Sequence, residues 1–275
     1  MTAQTSGVER LDAVFRRTRA AGRAALIPYL CGGDPDLATS EALVAAVAAA
    51  GADIIELGIP YGDPLADGPT IAAAAQRALE AGTTVDAVLA IAARLHAAGG
   101  PPLLLFTYVN PIVQYGLEHF ADALVAAGAS GAIVPDLPLE EMSPLRAAFG
   151  PRGLALPLLI APTTPLERAV AIAERSDGFA YLVSRLGVTS ASREPDFGPI
   201  AARVAQLRER TARPLAVGFG IATPAHVRAV AAIADGAIVG SALIDAYAGT
   251  RGDEAVERVS ALFNALDAGR SAAAS

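Results

Sequence analysis

Eight short apolar runs punctuate this chain, and none of them alternates apolar with polar residues. They are ALIPYL (25–30), ADIIELG (52–58), PLLLFTY (102–108), GAIVP (131–135), LALPLLI (154–160), GFAYLVS (178–184), PLAVGF (214–219) and GAIVG (236–240). A strand with one wet face alternates, whereas a strand covered on both faces does not. Between the runs lie alanine-rich amphipathic stretches that open near Thr39, Thr70, Val85, Leu117, Glu140, Pro165, Phe197, Pro224 and Ala242. Several begin at Asp, Ser, Thr or Pro and end in AAGA, EAGT or HAAGG, the capping chemistry of helices. A leading helix is expected from Val8 to Arg23. Buried strands alternating with helices make a parallel sheet under a helix layer. Eight such units in 275 residues predict an α/β fold, a (β/α)8 TIM barrel with an extra N-terminal helix. A doubly wound open sheet is the rival arrangement of the same units. No linker or low-complexity block divides the chain, so one domain over 1–275 is expected, with short disordered tails at about 1–6 and 270–275.

Composition narrows the chemistry. The formal net charge is −7, which disfavours nucleic acid and anionic membrane as partners. All 21 basic residues are arginine, so Schiff-base aldolases, pyridoxal-phosphate enzymes and P-loop NTPases, which need a lysine, are excluded. A single cysteine, Cys31, allows no internal disulfide, and the N-terminus has neither the basic nor the apolar region of a signal peptide. A cytoplasmic location is the expectation. The apolar run from Ala42 to Ala52 is too short to span a bilayer.

Active sites of such barrels lie at the carboxyl ends of the strands. Glu56 stands near the end of the second run, where Ile54, Glu56 and Gly58 share one face and Ile55 and Leu57 the other. With the aliphatics toward the helices, Glu56 points into the barrel mouth, where desolvation suits a proton donor. A buried glutamate paired with an arginine is the structural alternative. The following loop, IPYGDPLADGP, is stiffened by Pro60, Pro64 and Pro69 and carries Asp63 and Asp67. Asp67 is placed to fold back over the pocket and accept an N–H from a substrate. Asp63, before a proline, reads best as a turn carboxylate.

Gly220 and Gly240 follow the last two runs, and Ser241 opens a helix whose N–H groups point outward. Loops in these positions often hold phosphate through backbone donors, here aided by Arg185; ordinary turn glycines are the alternative. Tyr29, Phe106, Tyr108, Tyr181 and Phe219 sit at or near strand ends and either line a slot for a flat ring or cap the barrel. His96, His119 and His226 fall in helical stretches, and no metal-binding spacing of histidines is present. These features point to a phosphate-tailed, partly aromatic substrate and acid–base chemistry by carboxylates.

The segment ELGIPYGDPLADGP closely resembles the signature of the tryptophan synthase alpha subunit family. The likeness runs through IPYLCGGDP, TYVNPIVQYG, IVPDLPLEE, LIAPTTP, YLVSRLGVT and GFGI to GSAL. It implies a lyase that cleaves indole-3-glycerol phosphate to indole and glyceraldehyde 3-phosphate, with no cofactor and no metal. It further implies Glu56 as general acid/base and Asp67 as the carboxylate that holds the indole N–H. Tyr29, Phe106, Tyr108, Ile133, Ile160, Tyr181 and Phe219 would line the indole pocket. Thr189, Ser190, Gly220, Gly240 and Ser241 would serve the phosphate end, beside a mobile lid in SRLGVTSASREPD. The implied partner is a beta subunit in an α2β2 complex, met by Pro60, Asp63, Pro64, Asn110 and Asp136. Two departures stand out: Ser190 replaces a glycine usual in the family, and Cys31 stands in a stretch that usually holds threonine. The rival functions are a stand-alone indole-releasing lyase, another phosphate-binding barrel enzyme of aromatic amino-acid biosynthesis, and a largely non-catalytic activator of the beta subunit.

Overall fold

The computed structural model describes residues 5–184, 196–218 and 220–270. Eight strands form: β1 (Ala25–Cys31), β2 (Ile55–Gly58), β3 (Leu103–Phe106), β4 (Gly131–Ile133), β5 (Leu158–Ile160), β6 (Ala180–Val183), β7 (Leu215–Gly218) and β8 (Gly236–Val239). All pairings are parallel, in the order β4-β3-β2-β1-β8-β7-β6-β5. A bridge between Gly131 and Ala155, just ahead of β5, closes the ring. Ala132 N–H donates to the Ala155 carbonyl at 3.0 Å, and Ala155 N–H to the Ser130 carbonyl at 2.8 Å. This is a (β/α)8 barrel. Sequential neighbours closing on themselves exclude the doubly wound sheet, in which the strand order reverses.

Each expected run supplies a strand; β1 runs one residue past its run, to Cys31, and the other seven strands are shorter than theirs. The trailing residues, such as Thr107 and Tyr108 after β3 or Pro135 after β4, have already left the ladder to build the upper loops. The helices are α1 (Gly7–Ala20), α2 (Leu37–Ala49), α3 (Pro69–Glu80), α4 (Val85–Ala97), α5 (Val109–Tyr115), α6 (Leu117–Ala126), α7 (Ser143–Phe149), α8 (Leu166–Arg175), α9 (Gly198–Arg208), α10 (Pro224–Ala231), α11 (Ser241–Tyr247) and α12 (Gly252–Asp267). Two of these have no counterpart in the expected set. α5 is too short to show a period. α12 buries Ala255, Val259, Phe263 and Leu266, a helical spacing that is legible in hindsight. α7 starts at Ser143 rather than near Glu140, because Pro138–Glu141 forms a turn instead. Ser6 and Arg270, which fall in the expected tails, are both tied in. Ser6 caps α1 through a reciprocal bond with Glu9, and Arg270 pairs with Asp53 at 3.1 Å.

The lower rim is laced by carboxylates. Asp53, Asp177 and Asp235 precede β2, β6 and β8, and each accepts a backbone N–H from the preceding strand's start: Leu26 at 3.1 Å, Leu156 at 3.2 Å and Leu215 at 2.8 Å. Arginines neutralise them. Asp53 is 2% exposed and is met by Arg17, Arg23 and Arg270. Burial alone would raise the Asp53 pKa, but the Arg23 and Leu26 hydrogen bonds carry it below the usual carboxylate value. Stability drawn from this cluster is present above the unfolded pKa and is lost as pH falls through the folded one.

Gly131 is the closing contact. A Cβ there would lie 1.9 Å from the Ala155 carbonyl oxygen, inside any tolerable contact with backbone. Gly131→Ala should therefore cost more than about 3 kcal/mol, as β4 and β5 separate. Urea unfolding checks this. A loss under about 1 kcal/mol would mean that the seam yields without opening.

Candidate active site

β2 delivers the first carboxyl. Glu56 is in register with Tyr29 of β1 and Leu104 of β3. The Tyr29 ring crosses the inner face of the sheet, since a Cβ at Gly58 would lie 2.3 Å from its hydroxyl oxygen. Gly58 and Glu56 share that face by strand alternation, so Glu56 points into the barrel. It is 0% exposed, and among the described residues neither carboxyl oxygen has a hydrogen-bond partner. Among the described residues no arginine pairs with it. A buried carboxylate with no counter-charge is expensive, so burial pushes the Glu56 pKa well above the usual range.

Asp67 comes from the loop between β2 and α3. It is partly buried and borders a cavity of about 640 Å³ that also reaches Ile71 and Ser241. Burial raises its pKa to about 6, against the lowering effect of a hydrogen bond with the Tyr108 hydroxyl. That hydroxyl also accepts the Ala66 N–H at 3.0 Å, so one tyrosine fixes two successive loop residues. Tyr61 packs on Tyr108 with ring centroids 5.3 Å apart, and the Asn110 amide donates to the Tyr61 hydroxyl at 3.1 Å. Both carboxyls lie within electrostatic reach of Tyr181. Burial raises the Tyr181 hydroxyl pKa well above its ordinary value, and the charges of Glu56 and Asp67 raise it further.

Among the described residues the cavity beside Asp67 is lined by aliphatic and polar side chains and by no aromatic one; the expected Tyr29, Phe106, Tyr108 and Tyr181 are buried in the core. Tyr29 meets Phe106 edge to face at 5.5 Å. Tyr181 lies across β7, where a Cβ at Gly218 would fall 2.4 Å from its hydroxyl oxygen. Ile133 is fully buried at the end of β4, and Ile160, at the end of β5, borders a neighbouring cavity of about 290 Å³. At the other end, Gly240 precedes α11, and a Cβ there would sit 3.5 Å from Tyr29 and 3.7 Å from Ile71. No side chain caps α11, which leaves the first N–H groups, beginning at Ser241, without an intrahelical partner. Gly220 has φ +78°, a conformation that favours glycine. Arg185, Thr189, Ser190 and Phe219 lie outside the described residues.

Cys31 is buried, and desolvation raises its thiol pKa, with the Asp34 and Asp67 charges acting in the same direction, so it is no nucleophile. The histidines sit on α4, α6 and α10, as expected. Among the described residues no three His, Cys, Asp or Glu side chains come together as a metal site. Of the rim residues, Asp63 is exposed, Pro64 partly so and Pro60 buried. Asp136 accepts the Val109 N–H at 3.0 Å. Sequence reasoning passed over Tyr61 and Asp34. Tyr61 lies inside the acidic loop itself. Asp34 precedes a proline at the carboxyl end of β1, the same signal that marked Asp63 as a turn residue, yet it is fully buried.

The family model for the tryptophan synthase alpha chain matches residues 15–270. The chain is 52% identical to the tryptophan synthase alpha chain of Chloroflexus aurantiacus, over 86% of this chain and 90% of that one. It is 50% identical to that of a Picosynechococcus species, over 84% and 87%. Among solved structures it is similar to Mycobacterium tuberculosis tryptophan synthase, with a TM-score of 0.88 at 39% identity over 98% of this chain and 99% of that one. It is also similar to the Legionella pneumophila alpha chain, with a TM-score of 0.83 at 34% identity over 94% and 97%. The chain belongs to the tryptophan synthase alpha chain family.

Proposed function

We propose that Glu56 and Asp67 carry out the cleavage of indole-3-glycerol phosphate, the lyase reaction that membership of this family gives the chain. The observation that carries the reading is the burial of two carboxyls, Glu56 completely and Asp67 in part, at the carboxyl end of β2 and in the loop that follows it. Glu56 has no hydrogen-bond partner among the described residues and its pKa is pushed well above the usual range by burial, while Asp67, at about 6, is largely ionised at neutral pH. The protonated Glu56 gives its proton to indole C3. The positive charge then spreads to the ring nitrogen, whose N–H the Asp67 carboxylate accepts. The Glu56 carboxylate next takes the proton of the side-chain hydroxyl adjacent to C3. That hydroxyl carbon becomes the aldehyde, the C3–carbon bond breaks, and its electron pair restores the indole ring. Glu56 ends protonated, as it began. The ring lies among Tyr29, Phe106, Tyr108, Ile133, Ile160, Tyr181 and Phe219. The phosphate is held by N–H groups at Gly220, Gly240 and Ser241, and Thr189 and Ser190 are assigned to the same end by the family resemblance.

We assign the rim to a beta subunit, as part of an α2β2 complex in the cytoplasm. Asp63 is exposed beside Leu65, which is 80% exposed. An apolar groove of about 580 Å³ runs past Val109, Ile112, Val113 and Asp136. No helix among the described residues is long and apolar enough to cross a membrane. Indole is apolar and would escape to solvent, so direct delivery to a neighbour favours the pathway.

Glu56→Gln keeps shape and loses the proton. Cleavage should fall by about 100-fold or more with substrate affinity retained, measured by single-turnover kinetics and calorimetry. Wild-type turnover in that variant would remove Glu56 from the chemistry. For Asp67, the cleavage rate of the wild type should climb as pH rises through about 6, where the carboxyl ionises, and Asp67→Asn should lose that limb along with most of the activity. The same raised pKa means that Asp67 favours folding below 3.8 and withdraws that contribution as pH climbs through about 6. The Asn variant should accordingly match or exceed wild-type stability at neutral pH. For the partner, titrating beta subunit should raise indole-glycerol-phosphate cleavage by at least about tenfold, and Asp63→Ala should lose most of that rise. A rate that ignores the beta subunit would favour the stand-alone lyase.

A further inference from the structure

Asp34 sits in the loop after β1 and is 0% exposed. Its carboxylate accepts three hydrogen bonds. Arg77 of α3 donates through Nε to Oδ1 and through Nη2 to Oδ2, each at 2.8 Å. The Tyr247 hydroxyl, on the last residue of α11, donates to Oδ2 at 2.8 Å. The root of the loop is fixed as well, because Asp34 N–H donates to the Cys31 carbonyl at the end of β1.

The two helices it grips both open on the pocket, through Ile71 and Ser241. α3 opens at Pro69, two residues after Asp67. α11 opens at Ser241, directly after Gly240. Their leading ends are close, since a Cβ at Gly240 would come into ordinary van der Waals contact with Ile71 of α3, 3.7 Å away, and with Tyr29 of β1. At about 1.5 Å per residue, Arg77 lies roughly 12 Å down α3 and Tyr247 roughly 9 Å down α11 from these leading ends. A helix held at both ends can neither slide nor tilt. Removing the distal hold frees the leading end to shift by a fraction of an ångström, which is enough to misplace a reacting group.

We propose that Asp34 is a positioning residue that fixes the distance between the indole end of the site and its phosphate end, by bracing α3 and α11 on one buried carboxylate. This rests on the placing of indole beside Asp67 and of phosphate beside Gly240 and Ser241. None of Asp34, Arg77 or Tyr247 is given contact with the substrate. The brace matters to a ligand that spans both ends. Such a ligand gains from having its two halves linked only when the half-sites stand at the right separation. A fragment that fills one end is indifferent to that separation.

The test uses the full chain and three probes: indole, glycerol 3-phosphate, and 3-indolylpropanol phosphate, an uncleavable molecule with both ends. Tyr247→Phe removes one bond of the brace and keeps the ring, and Asp34→Asn removes the charge. Calorimetry should show the two-ended ligand weakened about fivefold or more by Tyr247→Phe and by more in Asp34→Asn. Indole and glycerol 3-phosphate should each change less than twofold. Turnover of the substrate should fall with the two-ended ligand. If all three ligands weaken alike in Tyr247→Phe, or none does, the brace is structural only and the inference fails. If the wild-type chain binds the two-ended ligand no better than its fragments, the placing of the two ends fails first and takes the inference with it.

Discussion

Burial on both faces of every strand governs this molecule. A parallel ring of eight strands leaves no wet face, so each inward side chain must be apolar, or polar for a reason, and each outward one must meet a helix. The ring is completed where two backbones touch at Gly131 and Ala155. Everything at the upper rim inherits its position from that closure: Tyr29, Glu56, Phe106 and Tyr181 are all carried on ladder residues, and none depends on a loop. Asp67 is the exception. It arrives on a loop and is fastened by a tyrosine from the adjoining connection.

Charge is sorted by end. At the lower rim, carboxylates are surrounded by arginine and by backbone N–H groups, as at Asp53 and Asp235, and serve to hold neighbouring strands together. At the upper rim, Glu56 has no such company among the described residues. A chain without lysine makes the contrast sharper, because its only strongly basic side chains are planar forks suited to pairing with carboxylates. Desolvation with no compensation is destabilising, and it is tolerated where the empty place is filled by something other than protein.

Much of this was legible in the residues. Strands buried on both faces announce themselves by the loss of alternation, which is why all eight were visible, and the inward turn of Glu56 followed from giving Ile55 and Leu57 to the helix side. What escaped detection had physical reasons. α5 is shorter than two helical turns and has no period to read. The ends of the strands were overrun because residues such as Thr107 stay buried after leaving the ladder. The Asp34 brace joins residues 43 and 213 positions apart, a meeting that only the closed ring brings about. Asp34 also precedes proline, so its local grammar is that of an exposed turn, and only its tertiary surroundings contradict that.

The meeting of tyrosine and glycine across neighbouring strands has a further consequence. The Tyr29 hydroxyl stands where a Cβ of residue 58 would be, and the Tyr181 hydroxyl where a Cβ of residue 218 would be. Each tyrosine and its glycine are thus one feature written at two places in the gene. Neither partner can drift alone: a larger residue at 58 or 218 evicts the ring, and a smaller one at 29 or 181 opens a void in the wall. Change at this wall has to come in pairs, so this part of the site should evolve in steps of two residues while the helix surfaces outside it vary one at a time.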